Sequence, residues 1–282
     1  MASSKRPRIT TGIARTIDLR DRSNRYALVV AGLAAIATLF WRLSTTGDEP
    51  WFWALRVLVG VFLAWALGRE LDPDEPASAA MAPLVILPFF ILGPPSISGS
   101  IAVLAAARIV VRTTGLSPSW FDGALLVGGS AYLGSQPENW PAAGALILAV
   151  FADRILYPSG PSRSLYTATL MTVAAVAAAA WWADDLAREA PTVGEWIGGA
   201  IVLMAVAAAL LMVRPPTARG DFRKEQLAEN RVLAARLLVA AVLIAGFLYP
   251  GGPIAPALSP LWAGIIAIPT ASWVRRHVIR PM

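Results

Sequence analysis

Residues 253–274, PIAPALSPLWAGIIAIPTASWV, and residues 164–183, SLYTATLMTVAAVAAAAWWA, contain no charged side chain. At a helical rise of about 1.5 Å per residue, a run of roughly 20 residues matches the hydrocarbon core of a bilayer. These two runs set the expected solvent, which is lipid. Both are continuous and rich in Ala with Leu. They do not alternate apolar with polar residues, so helices are expected rather than a β-barrel.

Working outward, runs of the same character fall at about 26–43, 51–68, 77–93, 100–112, 122–134, 141–157, 193–213 and 232–249. Composition agrees. Of 282 residues, 56% are hydrophobic and 15% charged, and the mean hydropathy of +0.59 lies outside the balance of soluble domains. The expected fold is all-α, a polytopic transmembrane helix bundle of about ten spans, or eight if the central hairpins re-enter instead of crossing. Its expected parts are a basic arm over 1–25, a single helical domain over 26–274 and a basic tail over 275–282. Within the domain lie central hairpins at 76–112 and 122–157 and a charged loop at 214–231.

Positive residues near span ends are retained in the cytoplasm, so counting them in alternate gaps gives an orientation. With the N-terminus inside, 21 of the 24 lysines and arginines fall on the cytoplasmic side, the exceptions being Arg42, Arg56 and Arg188. Trp41, Trp51, Trp53, Trp140, Trp181, Trp182 and Trp196 then gather near the outer ends, as an interfacial aromatic belt does. Both termini are therefore expected in the cytoplasm of a plasma membrane. Arg42-Leu43-Ser44-Thr45-Thr46 offers no small-x-small cleavage site, so the first span is expected to stay uncleaved.

The absence of Cys removes thiolate nucleophiles, disulfides and Cys metal ligands, and the single His277 cannot supply a multi-His metal site. No phosphate loop, zinc motif or serine-nucleophile motif occurs. The net charge of +6 lies in loops beside apolar runs, which points to membrane topology and not to nucleic acid.

The middle third is short for what it must do. The 32 residues between Glu75 and Arg108 carry no charge, and the 30 between Asp122 and Asp153 carry only Glu138. Two crossings and a turn need more chain than this unless charged ends also enter the membrane. The blocks correspond in spacing: Glu75 to Asp122 is 47 residues, Arg108 to Arg154 is 46, and Arg108-Ile109 pairs with Arg154-Ile155. That suggests an old duplication of low identity. Pro83, Pro88, Pro94 and Pro95 in one block and Gly123, Gly128, Gly129 and Gly134 in the other can free backbone groups, a pattern shared by substrate pathways and by ordinary kinked packing.

The stretch Gly68-Arg69-Glu70-Leu71-Asp72-Pro73-Asp74-Glu75-Pro76 places four acids in one loop. Asp72 suits a helix N-cap with Pro73 at the first helical position. Carboxylates one residue apart also suit a shared Mg²⁺ and, through it, a phosphate. The expected topology brings Arg69, Glu70, Asp74, Arg108, Arg112, Asp122, Asp153 and Arg154 to the cytoplasmic ends of neighbouring helices, a polar basin able to bind substrate. Arg108 and Arg112, one turn apart, are expected to face the same way. Asp221 is expected to cap a helical lead-in over 219–236.

Three functions fit these features. A transporter or permease for a small solute, ion or lipid uses the basin and broken helices. A noncatalytic membrane subunit or assembly factor uses the basic segments against a cytoplasmic protein or anionic lipid. A metal-dependent enzyme acting on a lipid-linked phosphate uses the acidic loop with Mg²⁺.

Overall fold

The computed structural model describes residues 11–13, 15, 17–45, 48–136, 139–156, 203–204, 206–212, 215–221, 225–248 and 257–278. Eight α-helices have both ends among them, α1 Arg22–Ser44, α2 Pro50–Leu71, α3 Pro76–Val85, α4 Ile97–Val111, α5 Trp120–Gly134, α6 Trp140–Leu156, α7 Glu229–Leu248 and α8 Ser259–His277, and residues 203–204 and 206–211 are helical too. A 3-10 turn, Leu87–Ile91, continues α3, and no β-strand is present among the described residues. The described fold is all-helical.

Two helices, α1 and α2, are long and apolar enough to cross a membrane. The helices of the middle third are shorter: α3 has 10 residues, α4 and α5 have 15 each and α6 has 17. The expected span 164–183 lies outside the described residues, and 193–213 is described only at 203–204 and 206–212.

Local sequence explains most boundaries. Asp21 caps α1 by accepting the Ser23 N–H at 2.8 Å. Pro50, Pro76 and Pro260 stand in the first turn of α2, α3 and α8, where a missing N–H costs nothing. Ser119 and Asp122 form a reciprocal capping box at the start of α5. The run 77–93 becomes a helix followed by a 3-10 turn because Pro88 supplies no amide hydrogen for continued α-geometry.

Helices α2 and α4 are central. α2 packs against α1, α3, α8 and α4, while α4 packs against α6 and α7 as well as α2. α3 lies mainly on α2 and α8, so the first central block does not close into a hairpin of its own, whereas α5 packs on α6. The proposed duplication is thus not mirrored in packing. Gly68 permits the α2–α3 approach: a Cβ there would meet the Ser78 carbonyl oxygen at 3.0 Å and Ala79 Cα at 3.2 Å. Apolar side chains fill the crossings, among them Leu67, Val103, Ile109, Leu243 and Leu261, all fully buried.

Two local expectations are corrected. Asp72 ends α2 and does not begin α3, whose N-cap is Glu75 with Pro76 following. The second proline of the loop therefore takes the first helical position. The lead-in over 219–236 is not one helix either: Gly220 N–H donates to Glu225 O at 2.9 Å and Leu227 N–H to Ala218 O at 3.0 Å, closing a turn before α7 begins at Glu229. Asp221 caps no helix there. Its N–H donates to Thr113 O at 2.9 Å, and its carboxylate pairs with Arg15.

Candidate functional site

The starts of α1, α3, α5 and α7 and the ends of α2, α4, α6 and α8 meet at one end of the bundle, and side-chain contacts tie them together. Ala209, Thr217 and Ala218 lie at this same end, since Arg236 Nη1 donates to Ala209 O at 2.7 Å and Asp74 accepts from Thr217 and Ala218.

Glu70 is fully buried near the end of α2. Arg108 Nε donates to its Oε1 at 2.9 Å, and Arg15 Nη1 approaches the same oxygen at 3.5 Å. Glu70 Oε2 is buried with no hydrogen-bond partner among the described residues. Arg69, next in the chain, turns the other way: Nη1 donates to Asn24 Oδ1 at 3.2 Å and lies 3.7 Å from Asp21.

Asp153, also fully buried, is the second centre. Arg112 grips it with two bonds, Nε to Oδ1 at 2.9 Å and Nη2 to Oδ2 at 3.0 Å. Arg231 adds contacts at 3.3 Å while its Nη1 donates to Val110 O at 2.6 Å. Arg108 and Arg112 do not face the same way as expected. Arg112 has left α4 for the left-handed region, at φ 56°, so its guanidinium reaches α6 while Arg108 stays with α2.

Asp122 holds the N-terminal segment. It accepts from the Thr11 hydroxyl, from Gly12 N–H at 2.8 Å and from its own cap, Ser119, at 2.7 and 3.0 Å. Thr114 Oγ1 donates to Gly12 O at 3.2 Å, Arg108 Nη1 donates to Ile13 O at 3.0 Å, and Arg15 pairs with Asp221 at 2.6 Å. The described portion of the basic arm is therefore a strap laid across the charged end. Arg154, half-buried in the last turn of α6, completes the expected set.

The acidic loop is divided among neighbours. Asp72 accepts from Ser78 Oγ at 2.6 Å and Arg236 Nη2 at 3.1 Å, Asp74 from the N–H groups of Thr217 at 2.7 Å and Ala218 at 2.6 Å, and Glu75 from Arg275 at 2.7 Å. Among the described residues no three acidic or histidine side chains converge into a metal-binding group. The donor set that Mg²⁺ would need is spread over four different contacts. Beside this loop opens a pocket of about 260 Å³, bordered by Asp72, Asp74, Glu75, Arg236, Arg275 and Arg276.

Burial pushes the Asp72 carboxyl above the usual aspartate range, with the Ser78 hydroxyl and the Arg236 guanidinium pulling it down in part. A carboxyl raised in the folded state stabilises the fold when protonated, and that contribution is lost as pH climbs from the ordinary aspartate value through the raised one. Melting temperature measured against pH should therefore show a downward component across that window in the native chain. Asp72→Asn should abolish it; an identical profile in the variant would refute the assignment.

Sequence reasoning missed Arg15, Asp221, Arg231 and Arg236. Arg236 could have been found, because it falls inside an expected span and such a charge demands a partner. It donates to Leu71 O at 2.7 Å, Ala209 O at 2.7 Å and Asp72. Nothing in the sequence local to Arg15 marks its pairing with Asp221, which is 206 residues away.

Fold and site together describe an all-helical chain with two helices of membrane-spanning character and an ion-paired end. No protein-family model matches it, and neither a curated protein nor a solved structure does.

Proposed function

We propose that this chain is a multi-pass plasma-membrane permease with both termini cytoplasmic, moving a small solute, ion or lipid, and that its ion-paired end is the inner gate. The observation that carries this reading is the burial of Glu70 and Asp153 among arginines from different helices. Charges inside an apolar bundle are costly, and they mark pathways more often than ordinary packing positions. Pairs that join separate helices also suit a gate, because exchanging partners moves the helices.

Three further features support membrane residence. Only 17% of the apolar window of α1 is buried, and Leu33, Ile36 and Phe40 point outward, which lipid accommodates and water does not. Helix starts and ends alternate at the charged end, as up-and-down crossings do. The basic residues cluster at that end, in keeping with a cytoplasmic assignment.

The test is efflux of potassium, chloride, inorganic phosphate and glycerol from proteoliposomes. At least one should leave faster than from protein-free vesicles. Glu70→Gln, close in shape, removes a charge-assisted contact and should change that rate by about tenfold. No accelerated solute, or a rate untouched by the substitution, would sink the gate.

A noncatalytic membrane subunit is the second reading, favoured by the internal engagement of Glu70, Asp72, Asp74, Glu75, Asp122 and Asp153, which spends the acids on structure. A stoichiometric partner that co-purifies in mild detergent, together with silent flux assays, would select it.

A further inference from the structure

A groove of about 210 Å³ runs between α1 and α2 on the outside of the bundle, lined by Ile17, Leu28, Ala31, Leu58, Val59 and Phe62. All six are apolar. Immediately toward the charged end stand Arg20, Arg22 and Arg25, all exposed and without an ion pair among the described residues. Arg25 and Leu28, three residues apart, are neighbours on the surface of α1, and Arg22 neighbours Arg25 one turn nearer the charged end.

The nearby acids are occupied. Asp18 Oδ1 accepts the Arg20 N–H at 2.9 Å, and Asp21 caps the helix and lies 3.7 Å from Arg69. The positive first turn of α1 adds to the field of the three arginines. An apolar trough below unpaired positive charge is complementary to a molecule with a hydrocarbon tail and an anionic head. Neither a soluble anion nor a neutral lipid uses both halves.

We propose that this groove seats one acyl chain of an anionic phospholipid whose phosphate is held by Arg22 and Arg25, with Arg20 at the rim. The inference rests on the membrane reading above. Seating the lipid there would fix α1 against α2 beside the N-terminal strap, which ends where Ile17 enters the groove.

The whole chain, purified in detergent, would be examined by native mass spectrometry with phosphatidylglycerol or phosphatidylcholine added. One phosphatidylglycerol should be retained in clear preference to phosphatidylcholine. Retention should fall about fivefold for each arginine removed in Arg22→Gln and Arg25→Gln. Leu58→Trp, which fills the groove from α2 and leaves the charges in place, should lower it by a similar factor. Arg22→Lys with Arg25→Lys should keep the preference and so separate charge from folding.

Equal retention of the two lipids, indifference to Leu58→Trp, or displacement by glycerol 3-phosphate alone would overturn the proposal. Carbonate washing of cell membranes separates the two levels of inference. A chain that washes off defeats the membrane reading itself, whereas a chain that stays but shows no lipid preference defeats only the groove.

Discussion

Asp153→Ala is expected to lower the stability of the folded chain by about 3–5 kcal/mol, the range for breaking one side of a buried ion pair. The Asp153 side chain is 1% exposed, and it is shared by Arg112 and Arg231, which are 11% and 8% exposed. Removing it takes away the carboxylate that two buried guanidiniums share, so desolvation and the loss of a common countercharge act together. Arg112 also donates to Ser117 Oγ and Arg231 to Val110 O, hydrogen bonds to neutral acceptors. An internal standard is available in Arg275→Ala. Arg275 is 59% exposed, and its pair with Glu75 should contribute less than about 1 kcal/mol. Thermal unfolding in detergent, followed by fluorescence-detected size exclusion, compares the two. Equal shifts would mean that burial of the Asp153 cluster has been misjudged.

Asp122→Ala is expected to raise the rate of trypsin cleavage after Arg15 by at least about tenfold under native conditions. One carboxylate collects the Thr11 hydroxyl, the Gly12 N–H and both donors of Ser119. Bonds to a charged acceptor contribute about 1.5–3 kcal/mol each, and about 1.4 kcal/mol is already tenfold in an opening equilibrium. When opening is fast relative to cleavage, proteolysis reads that equilibrium. The substitution also removes half of the α5 capping box, so Ser119→Ala is the necessary companion: it weakens the cap and keeps the carboxylate on the strap. Comparable cleavage in both variants would show that Asp122 does not hold the strap.

The ends of α1 and α2 were legible because apolar runs interrupted only by Arg42 and Arg56 and flanked by Asp21, Pro50 and the acidic loop leave few alternatives. Five other runs, 77–93, 100–112, 122–134, 141–157 and 232–249, were located to within a few residues, 77–93 as a helix plus a 3-10 turn, whereas 253–274 begins six residues before α8. Direction was harder. Arg108 and Arg112 look equivalent by helical spacing, but whether a terminal residue adopts positive φ depends on where α6 offers Asp153, which no local pattern states. The acidic loop misled in a similar way: Asp-Pro occurs before Glu-Pro, and only the packing of α3 on α2 and α8 decides which proline begins the helix. Convergence of most candidate charges at one end followed from alternating topology. Their pairing did not, because Arg15 with Asp221 and Arg236 with Leu71 join segments far apart in sequence. Whether Glu70 and its neighbours bind a substrate is a chemical question that spacing leaves open and flux measurements answer.

The strap also sets an order of events during biosynthesis. Thr11 to Arg15 leave the ribosome before α1, but Asp221, which Arg15 grips, emerges 206 residues later. At about 5–20 residues per second, that delay is roughly 10–40 s, during which Arg15 lacks its Asp221 partner although Arg108, Thr114 and Asp122, which hold residues 11–13, have already been made. Closure across the helix ends is therefore a late step of maturation, and a protease pulse on nascent chains would date the moment at which the newborn bundle locks.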